Sequence, residues 1–433
     1  MLLGQMHRRI AYKAMDPLTV TALAIEGGSP PDCAILISGD IATIPDGLQK
    51  AVRQRIAQRL PSFPLEKVFI NATHTHTSLV MEDGGYGNGD GEVMTPGECL
   101  ELFADRAAEA ALEAWGGRTP HSIRSAFSHA VVGHNRRASY ADGSSAMYGT
   151  TNRGDFIGVE GYEDHSLDVV FTWDMAGRLS GMAIDIPCPS QVDENLEVFS
   201  ADFWHDIRGE LRARFGASLH VLPLCGAAGD QSPHFIIYGR EEEEMRRRRG
   251  ISERREIAMR VADAIQRALL CTVPLEGEVA FAHAVRRIGL TPRQVSRAER
   301  DVAQAERDRY LKDGGPNSWW PRLLQEVVDK YDVRQTTTPF MVELHVLRIG
   351  TMALATNPFE LLIDYGMRIK ARSPAEQTII VQLAAGNGMY LPTARAVQGG
   401  GYGAMPAVCE VGPEGGAQLV EETLNVINQL FAK

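Results

Sequence analysis

The sequence predicts an α/β protein, a layered mixed sheet with flanking helices. Three observations carry this reading. Short apolar, β-prone runs alternate with stretches of helical periodicity, the pattern of strand–helix units. A chain of 433 residues can bury a large core without help from disulfides. The residues able to do chemistry fall just after the strand-like runs, where ligand sites of open α/β sheets gather.

In chain order, strands are expected at Leu18 to Ile25, Cys33 to Ser38, Lys67 to Ala72, Asp168 to Trp173, Gly181 to Ile186 and Leu219 to Leu224. Helical spacing places helices between several of them, at Leu48 to Leu60, Pro96 to Trp115 and Ala201 to Phe215. Further strands follow at Val279 to Ile288, Phe340 to Ile349, Thr351 to Ala355 and Thr378 to Leu383. Glu360 to Arg372 and Ala417 to Leu430 read as helices. No repeat or low-complexity linker divides the chain, so one domain over residues 1–433 is expected, with a helical surface insertion around 290–335. Within that insertion, Trp319-Trp320 is read as a core or subunit contact before a substrate lid, which leaves a homo-oligomer open.

A net charge of −11 argues against nucleic acid or an anionic membrane surface as the main partner. The arginines from Arg246 to Arg249 directly follow Glu241 to Glu244 and read as a solvated, salt-bridged helix. Six scattered cysteines (Cys33, Cys99, Cys188, Cys225, Cys271, Cys409) form no Cys-X-X-Cys pair and fit a reducing compartment. The opening residues lack an apolar stretch of signal-peptide length, and no run approaches a membrane span. A cytoplasmic enzyme without stable membrane association, acting on a small molecule, is the expectation. The glycine-rich loops 83–91 and Gln398 to Tyr402 match neither a Walker nor a Rossmann pattern. The first is expected to rim the cleft, and the second to turn the backbone beside Tyr402.

The most informative segment is Val68-Phe69-Ile70-Asn71-Ala72-Thr73-His74-Thr75-His76-Thr77-Ser78. Positions i and i+2 share a strand face, so at a strand end both imidazoles can point into one cleft. Histidine is the commonest metal ligand and the usual acid or base near neutral pH. The bland alternative is a polar strand terminus with two surface histidines. Three distant segments favour the functional reading: Asn135-Arg136, Gly229-Asp230-Gln231-Ser232-Pro233, and Asn357-Pro358-Phe359-Glu360 with Tyr390 and Tyr402.

Together and in this order, these motifs resemble the neutral ceramidases, zinc-dependent amidases that cleave the N-acyl bond of ceramide. The resemblance covers almost the whole chain. It implies that His74, Glu360 and Tyr390 are zinc ligands, that Arg136 and Tyr402 face the substrate carbonyl, and that Ser232 lies in the active site. Where the family has a second histidine ligand, this chain reads Ile186-Pro187-Cys188-Pro189-Ser190-Gln191, which puts Cys188 at the histidine position. A thiolate is a good ligand for zinc; the alternatives are a buried inert cysteine or a cysteine nucleophile. His134, His165 or His205 would replace Cys188 in another register. Secreted ceramidases carry a signal sequence and a further C-terminal β-domain, and the expectation is that this chain has neither.

The resulting expectation is a zinc-dependent hydrolase of an amide-type bond. His76 would shuttle a proton, with a structural role as its alternative. Ser232 is open between nucleophile, hydrogen-bond donor and helix N-cap. A thiolate ligand would weaken the ion as a Lewis acid, which keeps open a glycoside or ester hydrolase or a lyase on the same scaffold, and beyond these a non-catalytic binding protein. Absence of an apolar lipid-docking segment favours a small soluble substrate over ceramide.

Overall fold

A computed structural model describes residues 1–82, 86, 93–272, 278–313, 319–332 and 338–432. The glycine-rich loop expected to rim the cleft, Tyr86 apart, lies outside the described residues. The first sheet holds β1 (Val20–Gly27), β2 (Asp32–Gly39) and β3 (Val68–Ala72), β2 pairing antiparallel to β1 and parallel to β3. The second runs β7-β6-β5-β4, from β4 (His121–His129), β5 (Ser166–Asp174), β6 (Leu179–Ile186) and β7 (His220–Cys225). The third is ordered β8-β9-β10-β11, from β8 (Phe281–Leu290), β9 (Phe340–Ile349), β10 (Met352–Thr356) and β11 (Gln377–Val381). Each sheet thus mixes antiparallel neighbours with one parallel pair. The mixed α/β class read from the sequence is the class observed.

These strands are apolar on both faces because both faces are covered. On β2, Ile35 and Ile37 face the helices Leu48–Arg59 and Pro96–Gly116. Ala34 and Leu36 face inward, where they join Val170, Leu222, Leu347, Leu354 and Val381 in a core drawn from all three sheets. The second sheet is backed by Phe203–Phe215 and Glu253–Leu270, and the third by Ile363–Arg372 and Pro413–Phe431. Helices therefore lie outside a shared centre, and the strand ends open onto a common cavity.

Among the elements with no counterpart in the sequence reading are β4 and the helix Glu253–Leu270. The former is an edge strand of alternating polar and apolar residues, half-exposed along most of its length. The helix expected from Glu360 begins instead at Ile363, because Glu360–Leu361 pair in parallel with Tyr390–Leu391. The surface insertion is a helical hairpin, Arg297–Lys312 against Trp320–Asp332. Its first helix is started by a Ser296–Glu299 capping box, which satisfies two otherwise orphaned backbone donors. Trp320 packs in the core beside Tyr402, whereas Trp319 lines the cavity.

Candidate active site

A cavity of about 1000 Å³ is lined by His74, His76, Arg136, Glu360, Tyr390 and Tyr402, together with Tyr148, Gln191 and Glu194. Local structure explains why distant residues meet there. β3 ends at Ala72, and Thr73 N–H and His74 N–H donate to the carbonyls of Gly39 and Ile41 just past β2. His74 sits at φ 62, a left-handed conformation that costs a non-glycine residue free energy and turns its ring out of the strand. Glu360 and Tyr390 are direct partners in their short parallel ladder, so their side chains share one face. The pair His134–Asn135 is zipped antiparallel to Gln231–Ser232, with Arg136 N–H donating to the Asp230 carbonyl (2.9 Å) and Asn135 Nδ2 to the Asp230 carboxylate (3.2 Å). The Asn-Arg and Gly-Asp motifs are therefore one structural unit.

Hydrogen-bond roles at the centre can be assigned in sequence. His74 Nδ1 lies 2.6 Å from the Ala42 carbonyl, which only accepts, so Nδ1 carries a proton and Nε2 faces the cavity. Arg136 only donates, and its Nη1 lies 3.2 Å from Gln191 Oε1. Gln191 must therefore turn its NH₂ to His76, 2.8 Å from Nε2 and 3.3 Å from Nδ1. His76 Nδ1 lies 3.2 Å from Glu194 Oε2, and its Nε2 accepts from Gln191. His74 Nε2 lies 3.3 Å from both His76 Nε2 and Glu360 Oε2. Two electron-rich atoms thus face His74 Nε2. Only positive charge balances that arrangement.

Electrostatics follow the same geometry. Burial pushes the Glu360 carboxyl up, but His74, Arg136 and Tyr390 outweigh it and hold the group below its ordinary value. Burial lowers the His76 pKa; Glu194 opposes this, His74 adds to it, and the ring is neutral at pH 7. Burial, then Glu360, keep Tyr390 a phenol, and burial does the same for Tyr402. Among the described residues the Tyr402 hydroxyl has no hydrogen-bond partner, and its ring packs edge-on against Tyr390 at 5.5 Å. Arg136 donates from Nη1 to Tyr148 and Gln191 and from Nη2 to the Gly229 carbonyl and Tyr390. Expected to face a substrate carbonyl, its guanidinium is instead engaged in fixing four neighbours.

Two expected site residues lie outside the cavity lining. Cys188 is fully buried among Val132, Ile186 and Trp204 on the apolar side of β6, with Sγ 3.5 Å from the Pro189 carbonyl. Burial raises its pKa far above the ordinary value, so it remains a thiol. The chain turns tightly after β6 (Cys188 N–H to the Ile186 carbonyl, 2.7 Å), and the residue it delivers to the cavity is Gln191. Ser232 caps no helix; its Oγ accepts from Tyr148 OH (3.0 Å) and from His234 N–H (3.1 Å), behind the cavity wall. The substitutes for Cys188 are also elsewhere: His134 and His165 share Glu163, and His205 is exposed. Gln191, Glu194 and Tyr148 were not anticipated. Their only signal in sequence is proximity to the matched segments.

Whether these residues suit a metal turns on the donor set. Among the described residues no group of three or more histidine, cysteine, aspartate or glutamate side chains is disposed to hold an ion. His74, Glu360 and the phenol Tyr390, hydrogen-bonded to Glu360, bring one nitrogen and two oxygens together at the cavity floor, donor types that a zinc-type cation accepts, and Cys188 is not among the cavity-lining residues.

No family model matches this chain, and no curated protein matches its sequence. Solved structures do. The neutral ceramidase from Pseudomonas aeruginosa covers 100% of this chain and 73% of its own at a TM-score of 0.67 and 15% identity. A ceramidase complexed with C2 covers 100% and 72% at a TM-score of 0.67 and 14% identity. The chain has the fold of the neutral ceramidases. At this identity the likeness shows the fold alone.

Proposed function

We propose that the chain is a metal-dependent hydrolase cleaving an amide-type bond of a small soluble substrate, with zinc held by His74, Glu360 and Tyr390. The observation that carries this is the convergence of His74 Nε2, Glu360 and Tyr390 at the floor of a cavity large enough for a substrate. When bound, the ion would supply Lewis-acid polarisation of the scissile carbonyl and acidify water. His76 accepts the proton released by attacking water at Nε2, in place of the hydrogen bond from Gln191, and returns it to the leaving nitrogen. Tyr402, kept neutral by burial, donates a hydrogen bond to the oxygen on which charge develops. Arg136 acts one layer back, holding Tyr390 and Tyr148 in place, and Ser232 supports Tyr148 from behind.

Metal analysis and a substrate panel test this together. Purified protein should carry one transition metal ion per chain, and a strong chelator should abolish turnover. Zinc-reconstituted protein should hydrolyse members of a panel of N-acyl compounds, lactones and glycosides, with the N-acyl compounds preferred. Full activity without metal would refute the metal role. Turnover confined to lactones or glycosides would move the chemistry to another bond on the same scaffold.

A second outcome concerns Tyr402. Removing one preorganised oxyanion donor costs on the order of 10²- to 10³-fold in kcat. Tyr402→Phe should show that loss with metal content and melting temperature unchanged, measured on one preparation.

A further inference from the structure

Arg9 is a buried guanidinium whose described hydrogen bonds all go to backbone carbonyls. Nη1 donates to Glu194 (2.7 Å) and Leu196 (2.8 Å), and Nη2 to Leu3 (3.1 Å) and His76 (2.5 Å). Three chain segments meet at that one planar group: residues 2–9, the turn after β3 and the stretch after β6. Each of them lines the cavity, through Leu3 to Met6, through His76 and through Glu194. A buried charge costs free energy unless polar groups enclose it, and an apolar side chain would fill the space without that cost. An apolar side chain cannot bind four carbonyls at once, whereas a guanidinium carries five N–H donors in a rigid fork. Other contacts press residues 2–9 against the site. Leu2–Leu3 pairs antiparallel with Ser78–Leu79, and Leu2 N–H donates to the Arg9 carbonyl (3.0 Å), which closes the segment into a loop. Gly4 lies at φ 118, and a Cβ there would fall 2.4 Å from the His76 Cβ, so glycine is what lets the loop lie this close. The Gln5 carbonyl accepts from Tyr86 OH and Trp319 Nε1. The loop is thus pinned at its turn by two aromatic side chains and at its base by Arg9.

We infer that Arg9 is a positioning residue, which holds the loop of residues 2–9 and the backbones of His76 and Glu194 in register and so fixes the cavity wall relative to His74 and Glu360. The inference rests on the reading of this cavity as the active site. Arg9 is not among the lining residues, so its effect reaches a substrate only through the three segments it joins. A displacement of about 1 Å in a reacting group, caused from a distance, costs on the order of 10²-fold in rate. Freed of their shared donor, the carbonyls of His76 and Glu194 would let both segments relax by such amounts.

Hydrogen exchange and kinetics on zinc-reconstituted Arg9→Ala, with and without added methylguanidinium, test this. Amides of residues 75–79 and 191–196 should exchange roughly 10-fold faster than in wild type, while those of β2 and β7 keep their rates. On the amide best turned over in the panel, kcat should fall about 10- to 100-fold at a temperature where both proteins are folded. Methylguanidinium should reverse both effects saturably in the variant and change neither in wild type. Should Arg9→Ala fail to fold, Arg9→Lys carries the same comparison, since it keeps the charge and loses the fork; most of the rate should still be lost. Wild-type kcat per bound metal ion in the variant, or a rise in exchange spread over the whole chain, overturns the positioning role. A wild type that turns over no member of the panel refutes the hydrolase reading. A local rise in exchange that methylguanidinium reverses would still support the clamp, so the two failures are distinct.

Discussion

His74→Ala is expected to strip the metal from the protein and to lower turnover by roughly 10³-fold or more, because a Lewis-acid metal contributes several kcal/mol to the transition state and each ~1.4 kcal/mol is tenfold. The ring supplies the atom on which the other donors converge, so no neighbour can replace it. Glu360→Gln should do nearly as much at constant volume. It removes the charge that faces His74 and leaves the buried Arg136 guanidinium without its nearest carboxylate, 3.9 Å away. Cys188→Ala is the matched control: the thiol lies in the apolar cluster beside Trp204, so metal content and turnover should stay near wild type. Elemental analysis and kinetics on the same three preparations decide the matter. Metal retained in His74→Ala, or lost in Cys188→Ala, would reverse the donor assignment.

The largest expected stability effect lies one layer beneath. Asp40 and Arg208 form a two-pronged ion pair, 2.8 and 3.0 Å, with the carboxylate fully buried and the guanidinium nearly so. Asp40 also accepts from the backbone of Thr19 (2.8 Å) and from Thr73 Oγ1 (3.4 Å), beside the turn that presents His74. Removing one partner of a buried pair strands the other charge, at a cost of about 3–5 kcal/mol. Asp40→Ala should therefore lower the unfolding free energy by that amount, read as a lower denaturant midpoint at an unchanged slope. Arg208→Met in that background should recover part of the loss, since the stranded charge is then gone. A loss under about 1 kcal/mol would place the pair in the class of solvated ion pairs.

How much of this was legible in the sequence depended on whether a residue's role shows in its neighbours. The strand before Thr73-His74-Thr75-His76 was readable because both its faces are buried and its run is apolar apart from Asn71. Glu360 and Tyr390 were found through motif order; their pairing across a two-residue ladder has no period to detect. The same ladder explains the late start of the helix at Ile363, whose first N–H is taken by Asp230 (2.9 Å). Cys188, expected at a ligand position, lies in the apolar cluster, and after the turn at Ile186–Cys188 it is Gln191, three residues on, that lines the cavity. Glu194 was invisible because a carboxylate with two histidine partners, at positions 76 and 234, has no signature in local spacing.

The donor set is tested most directly by X-ray absorption at the zinc edge of the reconstituted protein. Nitrogen and oxygen alone, at roughly 2.0–2.2 Å, with the same spectrum in Cys188→Ala, is the expected result. A sulfur shell near ~2.3 Å that disappears in Cys188→Ala would contradict it and return the cysteine to the metal.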